Sequence, residues 1–134
     1  MKSTELMIGD WVYSLIDRDG YVEKNPVRIT GIRTDSDSPA LLQTDESDVW
    51  YHIETYEPIP ITVEILEKNF EKKTFYGIYD DFFDLDIREY SDGIYIVTYH
   101  SCEMSIPDQT VHVSWAHELQ NFMNHCGIEN DIEL

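Results

Sequence analysis

The sequence has few basic residues. Its 134 residues include nine Lys and Arg against 27 Asp and Glu, which gives a formal net charge of −18. No Lys or Arg follows Arg88, although acidic residues continue to the end of the chain. A chain of this charge repels phosphate backbones and anionic lipid headgroups. The composition therefore excludes a polycationic nucleic-acid-binding protein, and we expect no direct nucleic-acid partner and no membrane partner.

Cysteines and long apolar runs are also scarce. Cys102 and Cys126 are the two cysteines, too few for the disulfide framework of a small secreted module. No stretch approaches the roughly 20 apolar residues that a membrane-spanning helix requires. Glu5 and Asp10 interrupt the N-terminal segment, which does not resemble a signal peptide. We therefore expect free thiols and a cytoplasmic location.

Apolar and aromatic residues are nevertheless sufficient for a core. Hydrophobic residues make up 42% of the chain and aromatic residues 13%, a composition that disordered chains do not have. A folded monomer of this mass buries about 68% of the surface of its unfolded chain. We expect one domain, or two very small ones.

The first 60 residues show short β-prone segments separated by turn-forming residues. A turn is expected over residues 17–20 and a solvated loop over residues 34–39. The predicted strands cover residues 11–16, 21–22, 27–32, 40–44 and 49–55. Five strands at this spacing predict a small SH3-like β-barrel over residues 1–60. Pro58 and Pro60 predict an extended connector after it.

Residues 61–134 predict two helices around a sheet. Thr62 is the expected N-cap of a short first helix. The last helix is expected from an N-cap at Ser114 to Cys126, with Gly127 ending it and with Trp115, Leu119, Phe122 and Cys126 as its apolar stripe. Strands are predicted over residues 74–79, 82–88, 93–99 and 102–106. The predicted fold class is α+β: an SH3-like barrel, then a helix, an antiparallel sheet and a C-terminal covering helix. Whether the two parts share one core is left open.

Three segments resemble a known group of proteins. They are residues 5–13 (ELMIGDWVY), 57–70 (EPIPITVEILEKNF) and 117–134 (HELQNFMNHCGIENDIEL). They are similar to small Bacteroidales proteins of unknown function that are associated with phage-like or mobile elements. In that group a Gly usually separates the end of the first helix from the next Phe, whereas here Asn69 directly precedes Phe70. The resemblance implies the layout of the chain and no activity, cofactor or catalytic residue.

Candidate catalytic and metal-binding residues do not form recognised patterns. His117-Glu118 lacks the second His of a metalloprotease helix, since residue 121 is Asn. The spacing of His100, Cys102, His125 and Cys126 matches no common zinc site. A negative environment also disfavours a reactive thiolate. We expect no catalytic residues, no metal and no cofactor; a zinc-dependent or Cys-His enzyme is the least favoured alternative.

Two acidic residues are candidates for binding. In an extended strand Asp84 and Asp86 lie on one face about 6.6 Å apart, with apolar side chains on the other face. This pattern is typical of the solvated face of a half-buried strand. It also suits a protein that mimics a row of DNA phosphates.

The first 60 residues contain six aromatic residues. Trp11, Tyr13, Trp50 and Tyr51, together with Tyr21 and Tyr56, are more rings than a very small barrel can enclose. They either line the barrel or form an exposed peptide-binding surface. The preferred interpretation is a non-enzymatic protein-interaction module with an acidic surface that binds a partner with a basic surface. The alternative is a DNA-mimic inhibitor of a host nucleic-acid-binding protein. The oligomeric state is left open.

Overall fold

The computed structural model describes residues 1–15, 17–18, 21–22, 24–35 and 38–134. These residues form two five-stranded antiparallel sheets, a two-stranded ladder and two α-helices, so the α+β prediction is confirmed. The chain divides into two compact units, Met1–Ile59 and Pro60–Leu134. They are called the first and the second unit below.

The first unit consists of short strands and two 3-10 turns, Ser3–Glu5 and Ile53–Thr55. Its strands are β1 (Trp11–Ser14), β2 (Asp17–Arg18), β3 (Tyr21–Val22), β4 (Asn25–Asp35), β5 (Ser38–Thr44), β6 (Ser47–His52) and β7 (Tyr56–Pro58). The five-stranded sheet has the order β6-β5-β4-β1-β7, and β2 pairs with β3. The last strand of the unit therefore returns to pair with the first.

The long strand β4 belongs to both halves of this sheet. Residues 25–28 pair with β1, and residues 29–35 pair with β5, with a register irregularity between Ile29 and Gly31. Such bulges bend a strand and shift which side chains face the core. The core contains Leu6, Val12, Val27, Ile29, Leu42 and Tyr56. Among the described strands β6 and β7 are the free edges, so the pairing does not close a barrel.

Four local predictions for the first unit differ from the structure. The strand predicted over residues 49–55 ends at His52, because Ile53–Thr55 forms a 3-10 turn. Asp17–Arg18, expected in a turn, forms β2; the rest of that turn, Asp19 and Gly20, lies outside the described residues. The expected loop over residues 34–39 contains the end of β4 and the start of β5, with Asp35 opposite Ser38; Ser36 and Asp37 are not among the described residues. Pro58 ends β7 instead of beginning a connector, which is possible because proline is tolerated on edge strands.

The second unit is a meander flanked in sequence by two helices. Its strands have the order β12-β11-β10-β9-β8, so strands adjacent in sequence are also adjacent in the sheet. Its elements are α1 (Val63–Asn69), β8 (Glu71–Lys72), β9 (Tyr76–Tyr79), β10 (Phe83–Ser91), β11 (Ile94–Ser101), β12 (Gln109–Val113) and α2 (Ala116–His125).

The helix ends follow from local hydrogen bonds. The Thr62 hydroxyl accepts the backbone N–H of Ile65 at 3.3 Å, which confirms the predicted N-cap of α1. In α2 the Glu118 carboxylate accepts the N–H groups of Ser114 and Trp115 at 3.0 and 3.1 Å, so the N-cap is Trp115 and the prediction of Ser114 was wrong. Gly127 follows α2 with φ of +79°, as a C′ glycine should.

The buried side of α2 also differs from the predicted stripe. Trp115 is exposed and lies before the first residue of the helix. The buried residues are Ala116, His117, Leu119, Gln120 and Met123. Leu119 lies on both faces, but the observed buried face is rotated about one residue around the helix from the predicted stripe, so Phe122 and Cys126 are only half-buried.

The segment 102–106, predicted as a strand, is an exposed loop between β11 and β12. The backbone N–H of Ile106 donates to the Glu103 carbonyl at 3.1 Å, which closes a turn. Pro107 follows and has no N–H to give to a strand ladder. The prediction was therefore wrong, and the strand forms later, over Gln109–Val113.

The C-terminal tail is attached to both helices by side-chain amides. Gln120 of α2 accepts the Ile132 N–H at 2.7 Å and donates to the Asn130 carbonyl at 3.0 Å. Asn69 of α1 accepts the Glu133 N–H and donates to the Glu133 carbonyl, both at 2.7 Å. Ile132 is buried, so the tail belongs to the packed structure of the second unit.

Candidate functional site

Strand alternation separates acidic from apolar side chains in β10. Leu85 and Ile87 are buried on one face of the strand. Asp84 and Asp86 lie on the opposite face and are half-buried. Asp84 is paired across the sheet with Tyr79 and His100, and Asp86 with Gly77 and Thr98. We call the surface formed by Tyr79, Asp84, Asp86, Thr98 and His100 the acidic face.

Asp86 is held by a tyrosine that lies over a glycine. The Tyr79 hydroxyl is 3.0 Å from Asp86 Oδ1 and 3.1 Å from the Phe75 carbonyl oxygen. A Cβ added at Gly77 would lie 2.0 Å from the Leu85 carbonyl oxygen and 3.1 Å from the Tyr79 ring, so only glycine fits there. Burial and then the nearby Asp86 carboxylate raise the pKa of Tyr79 to about 12, which keeps its hydroxyl neutral.

Asp84 lies opposite a histidine that already has an acidic partner. His100 Nδ1 hydrogen-bonds to Asp108 Oδ1 on the protein surface, and the contact is an ion pair when the imidazole is protonated. That hydrogen bond, followed by the charges of Asp108, Asp84 and Asp86, raises the pKa of His100. The acidic face therefore contains a single titratable cation among its five residues.

The basic residues near this surface lie toward one end of it. Lys73 lies over the Tyr79 ring, 4.3 Å from its centroid, and Arg88 lies 5.8 Å from the centroid of Phe75. By contrast, segments 80–87 and 100–108 contain no Lys or Arg. Their acidic residues are Asp80, Asp81, Asp84, Asp86, Glu103 and Asp108. The end of the acidic face near Asp84 is therefore the more negative one.

Exposed apolar side chains lie at that same end. Phe82 precedes β10 and is 78% exposed, while Met104 and Ile106, in the loop after β11, are also exposed. The Cys102 N–H donates to the Phe82 carbonyl at 2.9 Å, which joins the two loops. We call Phe82, Met104 and Ile106 the apolar tip.

In the first unit the predicted aromatic residues occupy different environments. Trp11 is half-buried, and the Arg28 guanidinium lies 5.0 Å from its ring centroid. Tyr13 lies on the same face of β1, opposite Pro26 and Glu57. Trp11 is thus covered by a cation of its own unit.

Trp50 and Tyr51 lie on opposite faces of β6. The Trp50 ring covers Gly31, where an added Cβ would be 2.6 Å from the ring atom Cη2, and Arg33 lies 5.6 Å from the ring centroid. Tyr51 is packed against the hydrophobic core of the first unit. The structure therefore does not bring Trp50 and Tyr51 together on one binding surface.

The cysteines and histidines stay apart. Cys102 is exposed and Cys126 is half-buried, and both are free thiols. Burial raises the pKa of Cys126, which disfavours its thiolate. Within the described part of the chain, no group of three or more His, Cys, Asp or Glu side chains is arranged to hold a metal ion.

Sequence reasoning missed the apolar tip and the partners of the two aspartates. The available signal was the Phe82-Phe83 pair, because adjacent strand residues point to opposite sides and one of the two rings has to leave the core. Phe83 stacks on Tyr99 at 5.7 Å, which leaves Phe82 as the exposed ring. Tyr79 and His100 carried no local signal, since cross-strand register decides their neighbours.

Comparison with known proteins provides no relative from which a site could be transferred. A scan of protein-family models, a search of curated proteins and a search of solved structures each found no match. In the described residues neither α1 nor α2 has the length and apolar character of a membrane-spanning helix. Functional inference therefore depends on the geometry of this chain alone.

Proposed function

We propose that this protein is a non-enzymatic protein-interaction module that acts in the cytoplasm and binds a partner with a basic surface. The observation that carries the proposal is the acidic face of the second unit, where Asp84 and Asp86 lie side by side on one face of β10. Complementary charge of this kind accelerates association and selects among partners.

The contacts of the two aspartates support binding. Asp86 accepts a hydrogen bond from the Tyr79 hydroxyl, and Asp84 lies opposite His100 in the sheet. Lys and Arg side chains are the groups that surface carboxylates recognise.

In this proposal the first unit is an SH3-like barrel that stays open between β6 and β7, the free edges among its described strands. Two features support it: the return of β7 to pair with β1, and the division of β4 between two halves of the sheet. A five-stranded sheet bent in this way curls toward closure. Its tryptophans are covered by Arg28 and Arg33, so we assign the main binding surface to the second unit.

DNA mimicry is the second candidate, and the adjacent carboxylates of Asp84 and Asp86 favour it. A mimic has to present a long row of unpaired negative charges, since B-DNA carries one charge per about 1.7 Å of helix axis. Here His100 lies opposite Asp84, and Tyr79 bonds to Asp86. These partners shorten the unpaired row, so we place mimicry second.

Affinity capture with matched variants tests the proposal. The immobilised full chain is exposed to a lysate of Bacteroidales cells, a choice that follows from the resemblance of three segments to proteins of that order. We expect a protein with a basic surface to be retained by the wild type and to bind it again after purification. The Asp84→Asn/Asp86→Asn variant should retain little of it, and binding should weaken as salt rises.

The control removes the same number of charges elsewhere. Asp48→Asn/Glu54→Gln changes two exposed acids of the first unit and should bind like the wild type. Equal retention by all three proteins would mean non-specific charge attraction and would refute the proposal. A captured DNA-binding protein that is displaced by duplex DNA would favour mimicry instead.

A further inference from the structure

The apolar tip combines exposure with local order. Phe82 is 78% exposed and Met104 is fully exposed. Ile106, in the same loop as Met104, is also exposed. The Phe82 N–H donates to Asp80 Oδ1 at 3.1 Å, and the Asp80 N–H donates to the Phe83 carbonyl at 3.0 Å. A surface held in place before binding loses less conformational entropy when a partner arrives.

The second loop is held in the same way. The Glu103 N–H donates to the Ser101 hydroxyl at 3.2 Å, and the Ile106 N–H closes the turn onto the Glu103 carbonyl. The hydrogen bond from Cys102 to the Phe82 carbonyl then ties this loop to the first one. Two bulky apolar side chains, Phe82 and Met104, are therefore presented from adjoining loops.

The charged residues next to Phe82 and Met104 in sequence are acidic. Asp80 and Asp81 directly precede Phe82, and Glu103 directly precedes Met104. All three acids are exposed, and no Lys or Arg occurs in residues 80–87 or 100–108. An apolar centre with a charged rim is the usual arrangement of a protein-interaction hot spot.

We propose that the apolar tip binds a short basic, amphipathic segment of the partner protein. Apolar side chains of that segment contact Phe82 and Met104, and its Lys or Arg side chains lie against Asp80, Asp81 and Glu103. This inference rests on the proposed function and deepens it, since it names the contact residues and the chemistry of the bound segment. Met104 suits this role because its flexible thioether adapts to different apolar side chains.

Charge complementarity selects this occupant. In a second copy of this chain the acidic rims of two tips would face each other, and like charges in contact repel. An anionic lipid surface would be repelled in the same way. A basic peptide satisfies the apolar residues and the acids together.

Peptide selection tests the inference directly. The immobilised full chain is used to select from a phage-displayed library of random 12-residue peptides, and the most enriched peptide is synthesised with a fluorophore. We expect enriched sequences to combine Lys or Arg with large apolar residues. Fluorescence anisotropy should show that Phe82→Ser/Met104→Ser weakens binding at least about tenfold, as expected for hot-spot side chains.

Two further variants separate the apolar from the charged contribution. Asp81→Asn/Glu103→Gln should weaken binding about threefold to tenfold and reduce its salt dependence. Tyr90→Ser removes a ring that is 65% exposed at the other end of β10, and it should change affinity less than twofold. Amide chemical shifts of the wild type should change at Phe82 and Cys102–Ile106 when the peptide is added.

The outcomes distinguish this inference from the proposed function. The inference about the apolar tip is refuted if the Phe82→Ser/Met104→Ser variant still binds the peptide, or if chemical shifts change only at other residues. Neither result refutes the proposed function of the acidic face. Enriched peptides without basic residues overturn the assigned chemistry, and the absence of any enriched peptide overturns the inference. Sedimentation velocity showing a dimer that Phe82→Ser/Met104→Ser dissociates would assign the tip to a second copy instead.

Discussion

The two units differ in how they treat aromatic side chains outside their cores. In the first unit Arg28 lies over Trp11 and Arg33 lies over Trp50, so each ring is covered by a cation of the same unit. In the second unit Phe82 remains 78% exposed among acidic residues. Cation–π contacts satisfy ring faces from within the molecule. Cations also lie over rings of the second unit, but the described Trp and Tyr rings of the first unit are all half-buried or buried, whereas Phe82 of the second unit stays exposed.

The charge distribution shows the same difference. Residues 1–60 contain 12 acids and five bases, while residues 61–134 contain 15 acids and four bases. Two bases of the first part lie over tryptophans, and three bases of the second part lie over Tyr76, Tyr79 and Phe75. In the second part the bases lie before or after the segments that carry the apolar tip. The position of the cations, more than their number, separates the two units.

The largest expected effect is a loss of stability when alanine replaces a closely packed glycine, and it should differ between the two units. Gly77→Ala in the second unit would place a Cβ 2.0 Å from a backbone carbonyl, and we expect a loss of about 3 kcal/mol in the free energy of unfolding. Gly31→Ala in the first unit meets only the Trp50 ring, which can move, so a loss of about 1 kcal/mol or less is expected. Urea unfolding followed by circular dichroism measures both, and an equal effect would contradict this distinction.

The second comparison concerns side-chain amides. Gln120→Ala removes a buried side chain that accepts the Ile132 N–H at 2.7 Å, and it should cost about 2 kcal/mol because the buried donor loses its acceptor. Gln43→Ala in the first unit removes an exposed bond to the Asp48 carbonyl and should cost about 0.5 kcal/mol or less. Amide hydrogen exchange at Ile132 should accelerate in Gln120→Ala alone. Unchanged exchange there would mean that the tail is held without Gln120.

A smaller loss of stability is expected when the arginine beside Trp50 is removed. Arg33→Ala removes the guanidinium 5.6 Å from the Trp50 ring centroid, and we expect a loss of about 0.5 to 1 kcal/mol. Trp50 should also become more accessible to acrylamide, measured by fluorescence quenching with Trp11 and Trp115 replaced by Phe. The control is Arg88→Ala in the second unit, which leaves Trp50 unchanged. If Arg33→Ala does not alter quenching of Trp50, the contrast between the units fails at this position.

The smallest effect concerns the pH dependence of the acidic face. The pKa of His100 is raised in the folded protein, first by its hydrogen bond to Asp108. The pair therefore stabilises the fold fully below the unfolded pKa of about 6.5, and this contribution is lost as the pH rises through the higher folded value. In an NMR titration Asp108→Asn should lower the pKa of His100, and Asp84→Asn should lower it less. An unchanged pKa in Asp108→Asn would refute the assigned cause.

Features that depend on neighbouring residues in sequence were predictable. Thr62 caps α1 because its hydroxyl reaches an N–H three residues later, and Gly127 ends α2 because glycine adopts positive φ without strain. Alternation in β10 was sufficient to place Asp84 and Asp86 on one face. These arguments use only the geometry of a single helix or strand.

Features that depend on pairing were not predictable in the same way. Residues 102–106 alternate like a strand, yet the turn closed at Ile106 and the following Pro107 leave them in a loop. The strand β7 escaped prediction because Pro58 at its end and Pro60 after it suggested a connector, and only its pairing with β1 makes it a strand. Trp50 and Tyr51 are neighbours in sequence, but the Tyr51 ring packs against the core, whereas the Trp50 ring lies over Gly31.

The sequence by itself determined the excess of negative charge, the α+β class and the amphipathic character of β10, since composition and short-range periodicity are properties of the chain. Tertiary structure alone decided which acids acquire partners and which rings stay exposed. Tyr79 reaches Asp86 and Arg33 reaches Trp50 across strands, at distances set by register and bulges. Register joins residues that are far apart in sequence, so no local pattern contains it.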